Sequence, residues 1–387
     1  MQENASPVEG IAAVAESATR YVSVDALRGF DMFWIVGAEG FVGALNEASG
    51  GQGFLQTLAT QFDHAEWIGF RFYDLIFPLF VFLVGVATVF SLDKIIAKHG
   101  MKAAHIRIFK RFVLLYLLGI FYYGGMARIW PEIRLVGVLQ RLALCYLFTS
   151  LLYCHLRLRG LVAVFVVIMA GYWAALTFVA ARVPGHFDPN TPAVASYEQG
   201  LNLTHYIDYH YLPGRRWDGD WDPEGILSTF PAVASCLRGV FAGLLIAKKQ
   251  VPDQRKVFYL AAAGVLMLAL GYLWGLQFPI IKKIWTSSYV LVAGGYSCLL
   301  LALFYQVVDI WKFRAWAQPF IWIGSNALAI YMADNLIDFD RIASRFVGGN
   351  IEMVIAPYGP LLLAATYVVL ICLFARYLYN RKIFIRI

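Results

Sequence analysis

Charge is scarce in this chain. Only 15% of its 387 residues are Asp, Glu, Lys or Arg, against about 25% in an ordinary soluble domain, which excludes a water-soluble globule. Cysteine is sparse and scattered: Cys145, Cys154, Cys236, Cys298 and Cys372 sit in or beside apolar runs. No pair has the spacing of a metal knuckle or redox dithiol, so neither a disulfide nor a metal site is expected. A Walker loop and a dinucleotide fingerprint are also missing, and the scattered glycines suit close helix contact better. Residues 1–20 carry Glu3, Glu9 and Glu16 and lack a basic start followed by an apolar core. They are expected to form a short disordered cytoplasmic tail rather than a cleavable leader.

What is present is hydrophobic length. Apolar residues make up 60% of the chain, mean hydropathy is +0.63, and the runs reach about 20 residues, enough to cross a hydrocarbon core about 30 Å thick. The expected fold is all-α, one polytopic transmembrane bundle over residues 21–387 with about ten spans. These fall near 22–43, 70–90, 111–127, 135–154, 160–181, 226–247, 257–275, 288–308, 318–337 and 359–379. One set of connections carries 19 Lys and Arg and the other 10, so both termini are expected in the cytoplasm, with the long 182–225 loop outside. Spread between spans in this way, the net charge of +7 reflects topology rather than a nucleic-acid surface.

Ionisable groups inside a span cost at least about 2.5 to 3.5 kcal/mol each, so each needs a partner, a cavity or a task. The first span holds Asp25 and Arg28 three residues apart, Asp31 near its middle and Glu39 toward its outer end. The second opens with Asp63, His64, Glu66, Arg71 and Asp74 and carries Pro78, where a half-broken helix would line a pocket. His64 is the strongest candidate for chemistry, because neutral imidazole accepts a proton near pH 7 or attacks an acyl carbon. Asp74, ten residues on, is too far along a continuous helix to touch it; Glu39, at the same outer level, is the better candidate partner. The outer loop sets Tyr206, Tyr209, Tyr211, Trp217 and Trp221 beside Asp208, Asp218, Asp220, Asp222 and Glu224. That mixture suits a sugar, and equally an aromatic belt at the membrane surface. Asp222-Pro223 also reads as the cap and first position of the sixth span; His205, His210 and Asp208 are too loosely spaced for a metal site. A deeper polar set, Gln140, Arg141, Arg238, Ser325, Asn326, Asp334 and Asn335, serves either as glue between helices or, through its arginines, as a phosphate receptor.

Four ordered motifs then stand out: Ser23-Val24-Asp25-Ala26-Leu27-Arg28-Gly29-Phe30; His64-Ala65-Glu66-Trp67-Ile68-Gly69 followed by Asp74-Leu75-Ile76-Phe77-Pro78; Asp222-Pro223-Glu224-Gly225; and Lys282-Lys283-Ile284-Trp285-Thr286-Ser287-Ser288-Tyr289. From about residue 20 onward the chain resembles the heparan-alpha-glucosaminide N-acetyltransferase family and its bacterial relatives. The resemblance implies a multi-pass protein of a bacterial inner membrane, possessing the acyl donor acetyl-CoA on the cytosolic side, an amino sugar as acceptor on the other side, and a homodimer as a plausible assembly. The family's active histidine falls on His64, with Glu39 and Asp63 as its candidate catalytic neighbours. Arg28, Lys110, Arg111 and Arg238 are candidates for the donor's electrostatic mouth, by charge and expected depth. Trp67, Asp74, Asp222, Glu224, Lys282, Trp285 and Asn326 are candidates for the acceptor. Animal members carry an asparagine where this chain has Glu39. Two further readings compete: O-acetylation of an envelope polysaccharide, and a sugar transporter or permease.

Overall fold

The computed structural model describes residues 21–186 and 192–384; the expected tail over 1–20 and the terminal Arg386 lie outside them. The described residues contain helices and two isolated bridges, with no strand. Each of the ten hydropathic stretches falls on helix. In chain order the helices are α1 (Val22–Phe33), α2 (Glu39–Ala48), α3 (Gly53–Gln61), α4 (Phe72–Tyr122), α5 (Val138–His155), α6 (Leu158–Phe178), α7 (Leu203–Tyr211) and α8 (Thr229–Ala247). They continue with α9 (Asp253–Gly275), α10 (Ser287–Phe304), α11 (Gln318–Ser325), α12 (Ala327–Leu336), α13 (Phe339–Val347), α14 (Asn350–Val354) and α15 (Gly359–Asn380). Among the described residues, six helices are long and apolar enough to cross a membrane.

The second and third expected spans are the two arms of α4. Their basic connection is itself helical, and the chain reverses at Gly100, whose φ of 79° and ψ of 177° suit a residue without a Cβ. The reversal brings Leu92 against Ala104 and Ile108 in one apolar cluster with Tyr146 of α5. The sixth span, α8, packs against both α4 and α5.

Two helix crossings are set by glycine pairs. A Cβ on Gly29 of α1 would stand 1.7 Å from the Phe320 carbonyl oxygen, and one on Gly324 of α11 would stand 1.8 Å from that of Asp25. Gly85 of α4 and Gly239 of α8 meet the Cys236 and Phe82 carbonyls at 2.0 and 1.9 Å in the same reciprocal way. Lipid offers no hydrophobic drive between helices, so such backbone contact carries the packing. Gly324→Leu is expected to force α11 off α1 and cost about 1 to 3 kcal/mol or more of overpacking, read as a lower melting temperature in detergent; Gly171→Leu, where a Cβ meets nothing within 4 Å, should change it little.

Two of the expected spans are discontinuous. A π-helical turn, Trp34–Ala38, interrupts the first, with Val36 and Gly37 outside helical φ/ψ just before Glu39. The ninth breaks at Asn326 (φ −133°, ψ 31°) between α11 and α12. The expected break at Pro78 is not found: α4 runs through it, and the irregular backbone lies upstream in 62–71. Pro78 has no N–H to give the Asp74 carbonyl; the Tyr289 hydroxyl donates to that oxygen instead, at 2.8 Å.

Candidate functional site

The segment 62–71 folds back over the start of α4, and this overturns the expectation that Asp74 lies beyond the reach of His64. The separation was measured along a continuous helix, whereas α4 starts only at Phe72. His64 Nδ1 stands 3.0 Å from Asp74 Oδ1. The other Asp74 oxygen accepts from the Ala65 and Arg71 backbone N–H groups at 3.2 and 3.0 Å, the latter bond capping the helix. Arg71 in turn donates to the His64 carbonyl at 2.9 Å, and Gly69 N–H to Ile280 O at 2.9 Å. These bonds tie 62–71 to the connection between α9 and α10.

That connection delivers Lys282. Its Nζ lies 2.9 and 3.1 Å from the two ring nitrogens of His64 and 3.5 Å from Asp74 Oδ1. Burial pulls the Lys282 ammonium below its ordinary pKa, against the raising influence of Asp74, Glu224 and Glu39. Asp74 is fully buried, whereas the imidazole is 51% exposed. An ionised carboxylate only accepts, so a neutral His64 bonded to Asp74 through Nδ1 donates from that nitrogen and keeps its lone pair on Nε2.

Glu39 completes the group from α2. Tyr73 is its neighbour, and the Tyr73 ring lies 4.8 Å from the His64 ring. Oε2 of Glu39 is buried without a hydrogen-bond partner. Asp63, His64 and Lys282 all act on Glu39 electrostatically, while Asp63 itself is exposed. Four segments thus converge on one cluster of an imidazole, an ammonium and two carboxyl groups.

Behind it, a cavity of about 440 Å³ runs between α1, α4, α5 and the break at Asn326. Along the first expected span it extends from Val24 to Ile35, about 17 Å at 1.5 Å per residue, and along α4 from Phe77 to Ser91, about 21 Å. Arg28, Arg107 and Arg111 stand at one end. Ile35 and Phe77, at the other, precede Glu39 and follow Asp74 by about one turn. Of the expected donor-mouth residues, Arg28 and Arg111 line this cavity, whereas Lys110 is exposed and outside the lining. Arg238 is buried elsewhere, donating to the Val290 carbonyl. Arg107 was missed, and Asn326 lines this cavity rather than the His64 cluster.

The remaining acceptor candidates support the connections around α7. Trp67 donates its indole N–H to Tyr197 O at 3.0 Å. Trp285 is buried, bonded through Nε1 to Ser235 at 3.0 Å and covered by the Arg141 guanidinium, 4.9 Å from its ring centroid. Asp222 does not cap the sixth span, which starts at Thr229 after Ser228. It pairs with buried Arg134 at 2.7 and 2.9 Å, and Glu224 pairs with the same guanidinium at 2.7 Å. Burial works against that charge, but Asp222 and Glu224 outweigh it and raise the Arg134 pKa. Arg134 drew no notice in the sequence, because its partners lie 88 and 90 residues away.

His205 and Asp208 lie on α7, and among the described residues no group of three or more metal-ligating side chains occurs. Both are buried. Burial pushes His205 down to about 3 and Asp208 up to about 7. Folding is therefore weakened by His205 as pH falls below its ordinary value of 6.5 toward 3, and by Asp208 as pH rises from its ordinary 3.8 toward 7. Between about pH 4 and 6.5 the two slopes, about 1.4 kcal/mol per pH unit each, oppose one another. His205→Asn, which retains a side-chain acceptor for the Gly200 N–H, should leave only the Asp208 slope. Melting curves at pH 4.5 and 6.5 are expected to show the variant losing stability relative to wild type at the higher pH.

The helices and their buried polar clusters define a multi-pass integral membrane protein. The chain is similar, at 27% identity over 72% of its length, to heparan-alpha-glucosaminide N-acetyltransferase of Homo sapiens, and at 25% identity over 72% to that of Mus musculus. Residues 20–188 match a domain of unknown function, DUF5009. The resemblance read from the four motifs is thereby borne out. The chain spans about half the length of these curated relatives, 49% in each case.

Proposed function

We propose that this chain is a ten-span N-acetyltransferase of a bacterial inner membrane, with both termini in the cytoplasm. It moves acetyl from cytosolic acetyl-CoA to the amine of a glucosamine-type sugar on the periplasmic side. The observation that carries this reading is the cavity, arginine-rich at one end and, at the other, one helical turn from the His64 cluster. The donor's phosphates suit the guanidinium forks of Arg28, Arg107 and Arg111, and its thin pantetheine arm suits the narrow apolar remainder. At the outer end the buried, unpartnered oxygen of Glu39 receives the acceptor ammonium. Asp74 holds the His64 ring so that Nε2 takes the proton from that ammonium, and Lys282 stands where its charge offsets the oxyanion of the tetrahedral intermediate.

The test is transfer of labelled acetyl from acetyl-CoA to glucosamine by purified protein in proteoliposomes. Arg107→Ala and Arg111→Ala are each expected to raise the KM for acetyl-CoA about tenfold or more, as losing a charge-assisted hydrogen bond does, and to leave the KM for glucosamine unchanged. Unchanged donor KM in both variants would remove the cavity from the donor path.

A further inference from the structure

Away from the His64 cluster, two imidazoles meet where α4 packs on α5. His105 stands on the second arm of α4, and His155 is the last residue of α5. Their Nε2 atoms lie 3.0 Å apart, and the rings stack with centroids 5.1 Å apart and planes inclined by 28°. Ala104 and Ile108, which flank His105, are fully buried in one cluster with Leu92 and Tyr146 of α5. Core packing therefore sets the positions from which the two rings reach each other.

The hydrogen bonds fix the state of one ring. A carbonyl only accepts, so the 3.0 Å bond between His105 Nδ1 and the Met101 oxygen is donated by the ring. In neutral His105 the lone pair is then on Nε2, the atom that faces His155. An N–H given to a backbone carbonyl by the far nitrogen is the support that metal-ligating histidines have. His155 adds a second favourable feature, because it ends α5, where the helix dipole favours positive charge. The pair is also accessible, His155 being exposed and His105 half-buried, so water can fill further coordination positions.

We infer that His105 and His155 chelate a divalent transition-metal ion through their Nε2 atoms, Cu²⁺ or Ni²⁺ in preference to Zn²⁺. Metal–imidazole bonds are about 2.0 to 2.1 Å long. Two such bonds to nitrogens 3.0 Å apart meet at about 94°, near the right angle of tetragonal Cu²⁺ and Ni²⁺ and short of the tetrahedral angle of structural Zn²⁺ sites. Without metal, His155 donates from Nε2 to His105; on binding, that proton moves to Nδ1 and both lone pairs face the ion. The bridge ties the arm of α4 that carries Arg107 and Arg111 to the end of α5. It stands independently of the acetyl-transfer reading.

Titration of the full chain in detergent, without a histidine tag, tests the site with Ni²⁺, Cu²⁺ and Zn²⁺ as chloride salts. Calorimetry should show one saturable site in wild type. His105→Gln and His155→Gln should each weaken it by more than the tenfold that loss of a mere supporting bond costs. His210→Gln, which removes an exposed ring with the same Nδ1–carbonyl bond on α7, should leave it unchanged. The Cu²⁺ form should give a paramagnetic resonance spectrum with two equatorial nitrogens that neither of the first two variants reproduces. Both rings lie at the surface, so melting temperatures without metal should stay close to wild type, which separates lost binding from lost fold. Binding that survives either substitution would overturn the inference. So would the lack of a saturable site in wild type, leaving a hydrogen bond between two rings and nothing more. Zn²⁺ held more tightly than Ni²⁺ and Cu²⁺ would overturn the assigned geometry.

Discussion

His64→Ala is expected to lower acetyl transfer to glucosamine about a thousandfold, within the range that a positioned general base contributes. The loss should appear in kcat with the KM for acetyl-CoA unchanged, since the ring stands outside the residues lining the cavity proposed for the donor. Asp74→Asn should cost nearly as much while removing no bulk. An amide cannot supply an ionised acceptor to Nδ1, and it can turn its own N–H toward the ring, favouring the wrong tautomer. The same change leaves Lys282 without its buried counter-charge at 3.5 Å. Labelled product and single-turnover rates check both variants. Transfer at the wild-type rate in His64→Ala would exclude the imidazole from the chemistry.

The second large effect concerns stability. Arg134→Met keeps much of the volume of the side chain but leaves buried Asp222 and half-buried Glu224 without their cation. Removing one partner of a buried ion pair costs about 3 to 5 kcal/mol, because the remaining charge has lost its solvent and its partner together. Asp222 also holds the Trp217 and Glu224 backbone N–H groups at 2.9 and 3.0 Å, so the disruption should spread through 214–228. Thermal melts in detergent should show a large drop, accompanied by earlier proteolysis of the outer loop. Neutralising the two acids as well, in Arg134→Met with Asp222→Asn and Glu224→Gln, should recover part of it, because no uncompensated charge then remains. A single variant as stable as wild type would mean that water reaches the carboxylates.

The helical bundle was legible because bilayer thickness and backbone hydrogen bonding leave few alternatives for apolar runs of this length. Glu39 was legible as an outlier, a carboxyl inside an expected span, His64 as an imidazole at a span entrance and Lys282 only through the fourth motif, and the four motifs together gave the resemblance that the comparisons bear out. The link from His64 to Asp74 was misjudged because hydropathy does not reveal where a helix begins. The helix starts at Phe72, and eight residues of irregular chain fold the imidazole back onto the acid. Arg107 was passed over as one of several basic residues near Gly100. Only the reversal of α4 selects which side of its second arm faces the cavity. Tyr73 carried no local signal, since an aromatic residue at the mouth of a span has an interfacial role by default.

Sequence by itself determined a membrane protein of many helices, the expected orientation of its charge, and which polar residues required an explanation. These follow from composition and periodicity, which act residue by residue. Tertiary structure decided which of those residues meet. His64, Asp74, Glu39 and Lys282 come from segments as much as 243 positions apart, and their distances depend on helix starts, one glycine reversal and two broken spans. Such contacts arise from the packing of whole helices against each other, a property no local window of residues contains.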